Sequence, residues 1–192
     1  LGRRIGDALE FASLAGGKAR WTLGRVDLRR VCEEACRRLD GLQGLKKVEF
    51  RILADDSAGV SGDGEHLTQA VHHLVHNAWQ WSPTDGEVEI AVHPARNGYV
   101  VEVADRGPGL RTEDRERVFE LFTQGGDVLV DKPAGIGIGL KIAAEIATVH
   151  GGCIEYSDRQ GGGARFHLLV RISDRPIDTL AAPEPVAGEA PQ

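Results

Sequence analysis

The chain has 192 residues, 41% of them hydrophobic and 27% charged, which is enough for one well-buried domain. Its net charge of −6 excludes a surface that attracts polyanions as a whole, so we expect no nucleic acid partner. Three cysteines exclude a disulfide framework and favour a reducing, cytoplasmic location. Because no apolar run approaches the ~20 residues of a membrane span, we expect no membrane contact by this stretch of chain.

The first predicted element is a short amphipathic helix over residues 3–14, which ends before two glycines. Ile5, Leu9 and Ala12 form one stripe on it, with Arg and Asp side chains on the opposite side. So short a helix needs a partner surface. It is either the end of a longer dimer or bundle helix, or a frayed terminal helix packed on the domain itself.

The following elements can be predicted from caps and periodicity. Asp27 is typical of an N-cap and predicts a helix over residues 28 to about 39. Apolar residues alternate over 48–53, which predicts a strand, and residues 55–64 read as a polar loop. The best-defined helix spans about 65–80, where apolar residues recur at helical spacing along one face.

Turn signals divide the rest of the chain into shorter elements. The predicted elements are strands over 87–93 and 99–104, a short helix over 112–121, a mobile loop over 123–134, a helix over 139–149, and strands over 153–157 and 164–172. The order predicts an α+β fold, a two-layer α/β sandwich with a mixed, mostly antiparallel sheet covered on one face by helices. Pro, Ala and Glu dominate residues 173–192, which predicts a disordered tail.

Three glycines alternate in the stretch Gly135–Leu140, immediately before a predicted helix. Exposed backbone N–H groups and the positive end of the helix dipole favour an anion there, and phosphate is the first candidate. The stretch does not match the dinucleotide-binding pattern, which needs G-x-G-x-x-G directly after a strand. It does not match the P-loop either, since Gly139 is followed by Leu140 and Lys141.

Two further polar groups suggest the rest of a nucleotide site. Asp105 precedes Gly107 and Gly109 at a predicted strand end, where a buried carboxylate can accept a hydrogen bond from an exocyclic amine such as that of adenine. The alternative is a tight turn capped by Asp. Asn77 offers an uncharged amide oxygen suited to Mg²⁺ that already carries phosphate oxygens, and the alternative is a solvent-facing helix asparagine.

The order of these three motifs resembles the ATP-binding catalytic domain of sensor histidine kinases, in the superfamily that includes gyrase B and the mismatch-repair ATPases. The resemblance covers nearly all of residues 1–172 and implies a Bergerat-type ATP-binding fold. The matching segments are 72–78 with 81–83 (the asparagine box), 105–110 (the first glycine box), 118–122 (the phenylalanine box), 135–140 (the second glycine box) and 150–155 near the end of the domain.

The resemblance implies that the cofactors are ATP and Mg²⁺. It implies that Asn77 coordinates the metal, that Asp105 binds the adenine amine, and that residues 123–134 form a mobile lid. Trp81 takes a place where the family often has Tyr or Phe near adenine, so the resemblance implies that its ring stacks there. The full set of residues that it places at the nucleotide is Asn77, Gln80, Trp81, Asp105, Gly107, Gly109, Leu110, Phe122, Lys132, Gly135, Gly137, Gly139 and Leu140.

The chain departs from the family at two positions in the asparagine box. The family usually has Lys or Arg where this chain has Gln80, and we hypothesise that Lys132, Lys141 or Arg117 supplies the missing charge. It usually has Asn where this chain has His73, and the hydrolysing relatives have a Glu base there. His73 is therefore either a catalytic base, since a neutral imidazole accepts a proton near pH 7, or a supporting polar contact.

The resemblance also predicts the domain organisation. Residues 1–18 resemble the end of the second helix of the dimerisation and phosphoacceptor domain, 19–172 the catalytic domain, and 173–192 the tail. Since the chain starts at Leu1 without Met, we expect it to be part of a longer protein. None of its seven histidines has the sequence context of a phosphoacceptor, so we expect it to bind ATP without phosphorylating itself.

The implied activity is transfer of the ATP γ-phosphate to a histidine of the dimerisation domain, for relay to a response regulator. The intact protein is then expected to be a homodimer through that domain. Two alternatives remain open at this stage. One is a serine kinase of the anti-sigma-factor type, and the other is a degenerate nucleotide-binding module that regulates a partner by occupancy.

Overall fold

The computed structural model describes residues 2–42, 46–55, 58–115, 117–119 and 138–171. Its helices are α1 Gly2–Ala15, α2 Leu28–Arg37, α3 Gly64–Trp81 and α4 Gly139–Val149. Its strands are β1 Leu23–Asp27, β2 Val48–Leu53, β3 Gly59–Asp63, β4 Gly86–Ala95, β5 Gly98–Ala104, β6 Ile154–Asp158 and β7 Ala164–Arg171. Every helix in these ranges is too short or too polar to cross a membrane.

A five-stranded mixed sheet forms one layer of the fold. Its strand order is β2-β4-β5-β7-β6, with β2 and β4 parallel and every other neighbouring pair antiparallel. Alternate residues of β7, from Ala164 to Val170, are buried, and those between them are half-buried. Because α2, α3 and α4 pack against strands of this sheet, its buried face is the helix-covered one. The predicted α+β sandwich is confirmed.

The helix layer is held together by apolar contacts along α3. The side chains of α3 that are buried in the core are Leu67, Ala70, Val71, Leu74, Val75 and Ala78. They follow the helical spacing seen in the sequence. The predicted cap of α2 is also confirmed, since the carboxylate of Asp27 accepts hydrogen bonds from the backbone N–H groups of Arg29 and Arg30.

The predicted loop over residues 55–64 is wrong in its second half, which contains β3. This strand pairs antiparallel with β1, so that Val26 lies opposite Val60. Because β3 has only one large apolar residue, its sequence does not alternate clearly enough to predict a strand. The pairing with β1 supplies the stabilisation, and Asp63 at its end caps α3 by accepting from the backbone N–H of His66 at 3.0 Å.

The predicted helix over 112–121 is also wrong within the described residues, where two single 3-10 turns take its place. They span Thr112–Asp114 and Arg117–Phe119. Tertiary contacts hold this segment against the sheet: the guanidinium of Arg115 donates to both carboxylate oxygens of Asp158, and the ring of Phe119 meets Phe166 edge-on. The periodicity of the local sequence cannot predict these long-range contacts.

The side of α1 that packs against the domain is not the side predicted from the sequence. Phe11 and Leu14 pack against the core, whereas the side chain of Leu9 is 67% exposed. Apolar residues occur on more than one side of this short helix, so periodicity alone does not decide which side is buried. Docking of α1 beside α4 selects the side that carries Phe11 and Leu14.

A buried histidine joins the end of α4 to the ribbon formed by β1 and β3. The Nε2 atom of His150 accepts from the backbone N–H of Asp63 at 3.0 Å, and its Nδ1–H donates to the carbonyl of Ile146 at 2.8 Å. This arrangement requires the neutral imidazole. Burial is the main cause that lowers the pKa of His150, and the nearby His66 lowers it further.

We therefore predict that the protein loses stability as the pH falls below about 6.5, the ordinary pKa of a histidine. The pKa of His150 is lower in the folded state, so the unfolded chain binds its proton first and acid favours unfolding. The loss is at most about 1.4 kcal/mol per pH unit. Urea unfolding between pH 5.5 and 8 measures it.

The control for this prediction is an exposed histidine, His93. The variant His150→Gln removes part of the pH dependence of the unfolding free energy, whereas His93→Gln leaves it as in the parent chain. An equal pH dependence in both variants would show that the neutral state of His150 does not matter for stability.

Candidate functional site

The candidate residues of α3 lie towards its C-terminal half, where the helix approaches the start of α4. A Cβ atom added at Gly139 would lie 2.9 Å from Nδ1 of His73. A side chain at this position would force the His73 ring to shift, so glycine allows His73 to lie beside the first turn of α4. His73 and Asn77 are one helical turn apart, so their side chains emerge on the same side of α3.

The first turn of α4 has the properties of an anion site. Ile138 precedes the helix and makes no side-chain hydrogen bond to it, and the first helical hydrogen bond within α4 runs from the N–H of Ile142 to the carbonyl of Ile138. The N–H groups before Ile142 point along the helix axis towards its positive end. Gly139 and Leu140, both predicted at the nucleotide, supply two of them.

Asp105 forms a buried corner between β5 and β7. Its side chain is 1% exposed, and Oδ1 accepts from the backbone N–H of Gly107 at 2.7 Å and of Ala164 at 3.2 Å. Its own N–H donates to the carbonyl of Ala164 at 2.9 Å. Among the described residues no group donates to Oδ2, which is buried. One oxygen therefore fixes the carboxylate, and the other retains its capacity to accept a hydrogen bond.

Positive charges near Asp105 reduce the free-energy cost of burying its carboxylate. Burial has the largest effect and raises the pKa of Asp105 above its ordinary value, although the two backbone donors and the positive charges of Arg159 and Lys46 act in the opposite direction. Arg159 is itself buried: it donates to the carbonyl of Ala104 at 3.1 Å and lies 3.9 Å from carboxylate oxygens of Glu87 and Glu89. A buried cation at this place favours the ionised, hydrogen-bond-accepting form of Asp105.

The two glycines after Asp105 allow close approach of the backbone. A Cβ atom at Gly107 would lie 2.7 Å from the carbonyl oxygen of Trp81 and 2.9 Å from Oδ1 of Asp105. Gly109 has φ +71°, which favours glycine, and the next residue, Leu110, donates its N–H to the hydroxyl of Tyr156 at 3.0 Å. The Asp105 corner thus lies against the end of α3, where the side chain of Trp81 is 37% exposed.

Lys46 is a cation at this end of α3 that sequence analysis did not find. Its Nζ donates to the carbonyls of Trp79 at 2.8 Å and Gln80 at 3.1 Å, and it lies over the Trp79 ring. Burial lowers the pKa of Lys46, and Asp105 raises it. Lys46 is 33 residues from Trp79 in the sequence, and no local motif predicts that it binds the end of α3. Its position is evident only from the tertiary structure.

Other predicted residues are engaged elsewhere or lie outside the described ranges. Lys141 forms an ion pair with Glu145 at 2.8 Å, one turn along α4. Of Arg117 only the backbone position is described. The predicted residues outside the described ranges are Phe122, Lys132, Gly135 and Gly137, together with the predicted lid over 123–134 and the predicted tail over 173–192.

The described part of the site brings together two groups of predicted residues. One group is Asp105 with Gly107, Gly109 and Leu110, against the C-terminal end of α3 that carries Gln80 and Trp81. The other is His73 of α3 with Gly139 of α4. Asn77 is half-buried on α3 between His73 and Gln80. The Asp105 carboxylate lies at one end of α3 and the N-terminus of α4 lies near the middle of α3. A hydrogen-bond acceptor and a helix N-terminus placed in this way suit a ligand with a base and phosphates.

Comparison with known proteins shows the family to which this chain is similar. Residues 62–174 match the model of the family described as histidine kinase-, DNA gyrase B- and HSP90-like ATPase. The sensor-like histidine kinase SenX3 of Mycobacterium tuberculosis is 32% identical over 170 residues, which are 88% of this chain and 42% of that protein. The sensor protein KdpD of Clostridium acetobutylicum is 31% identical over 143 residues, 74% of this chain and 16% of KdpD. The chain thus spans less than half the length of these curated relatives.

Solved structures have the same fold. The mycobacterial sensor histidine kinase MprB has a TM-score of 0.65 at 28% identity, covering 79% of this chain and 100% of that one. Full-length ShkA, solved in complex with AMPPNP, has a TM-score of 0.73 at 24% identity, covering 88% of this chain and 36% of ShkA. At the latter identity the likeness establishes the fold alone.

We predict that Gly107→Ala destabilises the protein, because the added methyl overlaps both the Trp81 carbonyl and the Asp105 carboxylate. The expected loss is about 1–3 kcal/mol in the free energy of unfolding, typical of a group forced into a filled site. Chemical denaturation measures it. Gly24→Ala is the matched control, since nothing lies within 4 Å of the added atom there, and equal stabilities of the two variants would contradict the close approach.

Proposed function

Because the chain belongs to the histidine kinase-, DNA gyrase B- and HSP90-like ATPase family, we propose that it is the ATP-binding catalytic part of a sensor histidine kinase. The observation that carries the nucleotide assignment is the buried carboxylate of Asp105, whose Oδ2 has no donor among the described residues. The 6-amino group of adenine is a donor, whereas guanine has a carbonyl oxygen at that position. The site therefore suits adenine and disfavours guanine.

The residues present fit the remainder of ATP. Gly107 and Gly109 leave the backbone free of side chains beside the acceptor, and Trp81 supplies an aromatic ring at the exposed edge. The N–H groups of Gly139 and Leu140 favour phosphate through the helix dipole. Lys46 contributes a positive charge near Gln80, although its hydrogen bonds to backbone carbonyls make it a support for the end of α3.

Asn77 is the residue that fits a magnesium ion. It lies on α3 between the His73–Gly139 contact and the Asp105 corner, and its amide oxygen is a hard, uncharged ligand. When bound, Mg²⁺ neutralises phosphate charge and orients the γ-phosphate. His73 is the candidate base or supporting contact beside it, and since an acceptor imidazole is already a nucleophile, the supporting role is sufficient for kinase chemistry.

The proposed reaction transfers the γ-phosphate to a histidine of the dimerisation domain of the same protein, and from there to a response regulator. Residues 1–18, which include α1, are proposed to be the end of that dimerisation domain, with a homodimer and a cytoplasmic location in the intact protein. The comparisons with sensor kinases favour this function over an anti-sigma-factor-type serine kinase or a degenerate regulatory module.

We predict that Asp105→Asn weakens ATP binding about 10- to 100-fold, because an amide replaces the anionic acceptor that holds the adenine amine. The variant also loses the preference for ATP over GTP. Isothermal titration with both nucleotides measures the two effects. Asp85→Asn makes the same charge change in an exposed turn, at φ 60° that Asn tolerates, and is the control. Equal affinities for ATP and GTP in the parent chain would contradict the adenine assignment.

The kinase activity is tested with a chain extended upstream to include the dimerisation domain. We expect incubation with Mg-ATP to yield phosphate that is labile to acid and stable to base, as for phosphohistidine. Asp105→Asn is expected to reduce the yield in proportion to its lower ATP occupancy. Acid-stable phosphate would instead indicate a serine kinase, and ATP binding without any transfer would indicate a regulatory module.

A further inference from the structure

A cluster of three ligand-type side chains lies between α1 and α3, apart from the Asp105 corner. Asp7, Glu10 and His73 each offer one ligand atom, and these atoms all lie within 4.8 Å of one another. Asp7 and Glu10 are three residues apart on α1, so both carboxylates emerge on the side that faces the domain. His73 meets them from α3. All three residues are half-buried.

The surroundings of Glu10 match those of a metal-ligating carboxylate. The side chain of Gln69, one turn before His73 on α3, hydrogen-bonds this carboxylate and so holds its orientation. Burial and the negative charges of Asp7 and Glu65 raise the pKa of Glu10, and His66 acts in the opposite direction. Two carboxylates that repel each other in a half-buried gap are stabilised by a cation between them.

We propose that Asp7, Glu10 and His73 form a binding site for a divalent first-row transition ion, with Mn²⁺ and Zn²⁺ as the best-suited ions. Two carboxylates and one imidazole are a mixed hard and borderline donor set, which Mn²⁺ and Zn²⁺ accept and Mg²⁺ seldom uses. Three protein ligands leave further coordination positions for water. This site differs from the Mg²⁺ position proposed at Asn77 in both its ligands and its metal.

An ion held there connects two elements of the fold. Two of its ligands belong to α1 and the third to α3, so binding favours the docked position of α1 over any other position. His73 also lies beside Gly139 at the start of α4, where an added Cβ atom would be 2.9 Å from its Nδ1. The ion therefore links the placement of α1 to the helix start where the nucleotide phosphates are proposed to bind.

The test is a calorimetric titration of the 192-residue chain with MnCl₂ at pH 7.5 in the absence of nucleotide. A Cys153→Ser background removes the exposed thiol as a competing ligand when the titration is repeated with ZnCl₂. We expect one equivalent of Mn²⁺ to bind. Each of the variants Asp7→Asn, Glu10→Gln and His73→Ala is expected to weaken binding at least 10-fold, and MgCl₂ to bind at least 10-fold more weakly than MnCl₂.

Exposed residues of the same types provide the matched controls, Glu49→Gln and His93→Ala, which are expected to keep the parent affinity. Thermal unfolding in chelator verifies that each variant is folded, and Mn²⁺ is expected to raise the melting temperature of the parent and control chains only. Binding that survives all three substitutions, or no one-equivalent binding in the parent chain, overturns the proposal. Because no nucleotide is present, either result leaves the assignment of the ATP site intact.

Discussion

The proposed site depends on the hydrogen bonds that the buried carboxylate of Asp105 accepts. Its Oδ1 accepts from the start of β7 and from Gly107, so the end of β5, the turn that follows and the edge of β7 have one fixed arrangement. Two N–H donors and the positive charge of Arg159 offset part of the cost of burying this carboxylate. The same desolvation that makes the carboxylate costly to bury makes Oδ2 a strong and selective acceptor.

The close approach of backbone to backbone is the second constraint, and it explains why glycine occurs where it does. Gly107 lies against the carbonyl of Trp81, and Gly139 against the ring of His73. Both contacts join α3 to another part of the site, the first to the Asp105 corner and the second to α4. A side chain at either position would force its neighbours to shift, which would disturb the placement of α3 against the Asp105 corner or the start of α4.

The proposed site residues within the described ranges could be predicted from the sequence because their chemistry is encoded in short local motifs. The glycines of Asp105–Leu110 and the start of α4 are needed for backbone geometry, and the apolar period of α3 follows from its burial. The errors occurred where long-range contacts decide the structure. The strand from Gly59 to Asp63 exists through its pairing with β1, and the 3-10 turns near Arg115 are held by Asp158 of β6.

The sequence by itself determined the fold class and the order of the motifs, and the resemblance of those motifs to a known family determined the family. This was possible because each motif is a short run of residues that can be recognised without the tertiary structure. Only the tertiary structure decided which distant groups support them. Lys46 reaches the end of α3, Arg159 donates to the carbonyl of Ala104 next to Asp105, and Asp7 and Glu10 meet His73. These charged residues are far apart in the sequence, so no local pattern predicts that they interact. Burial lowers the dielectric constant around them and so strengthens their interactions.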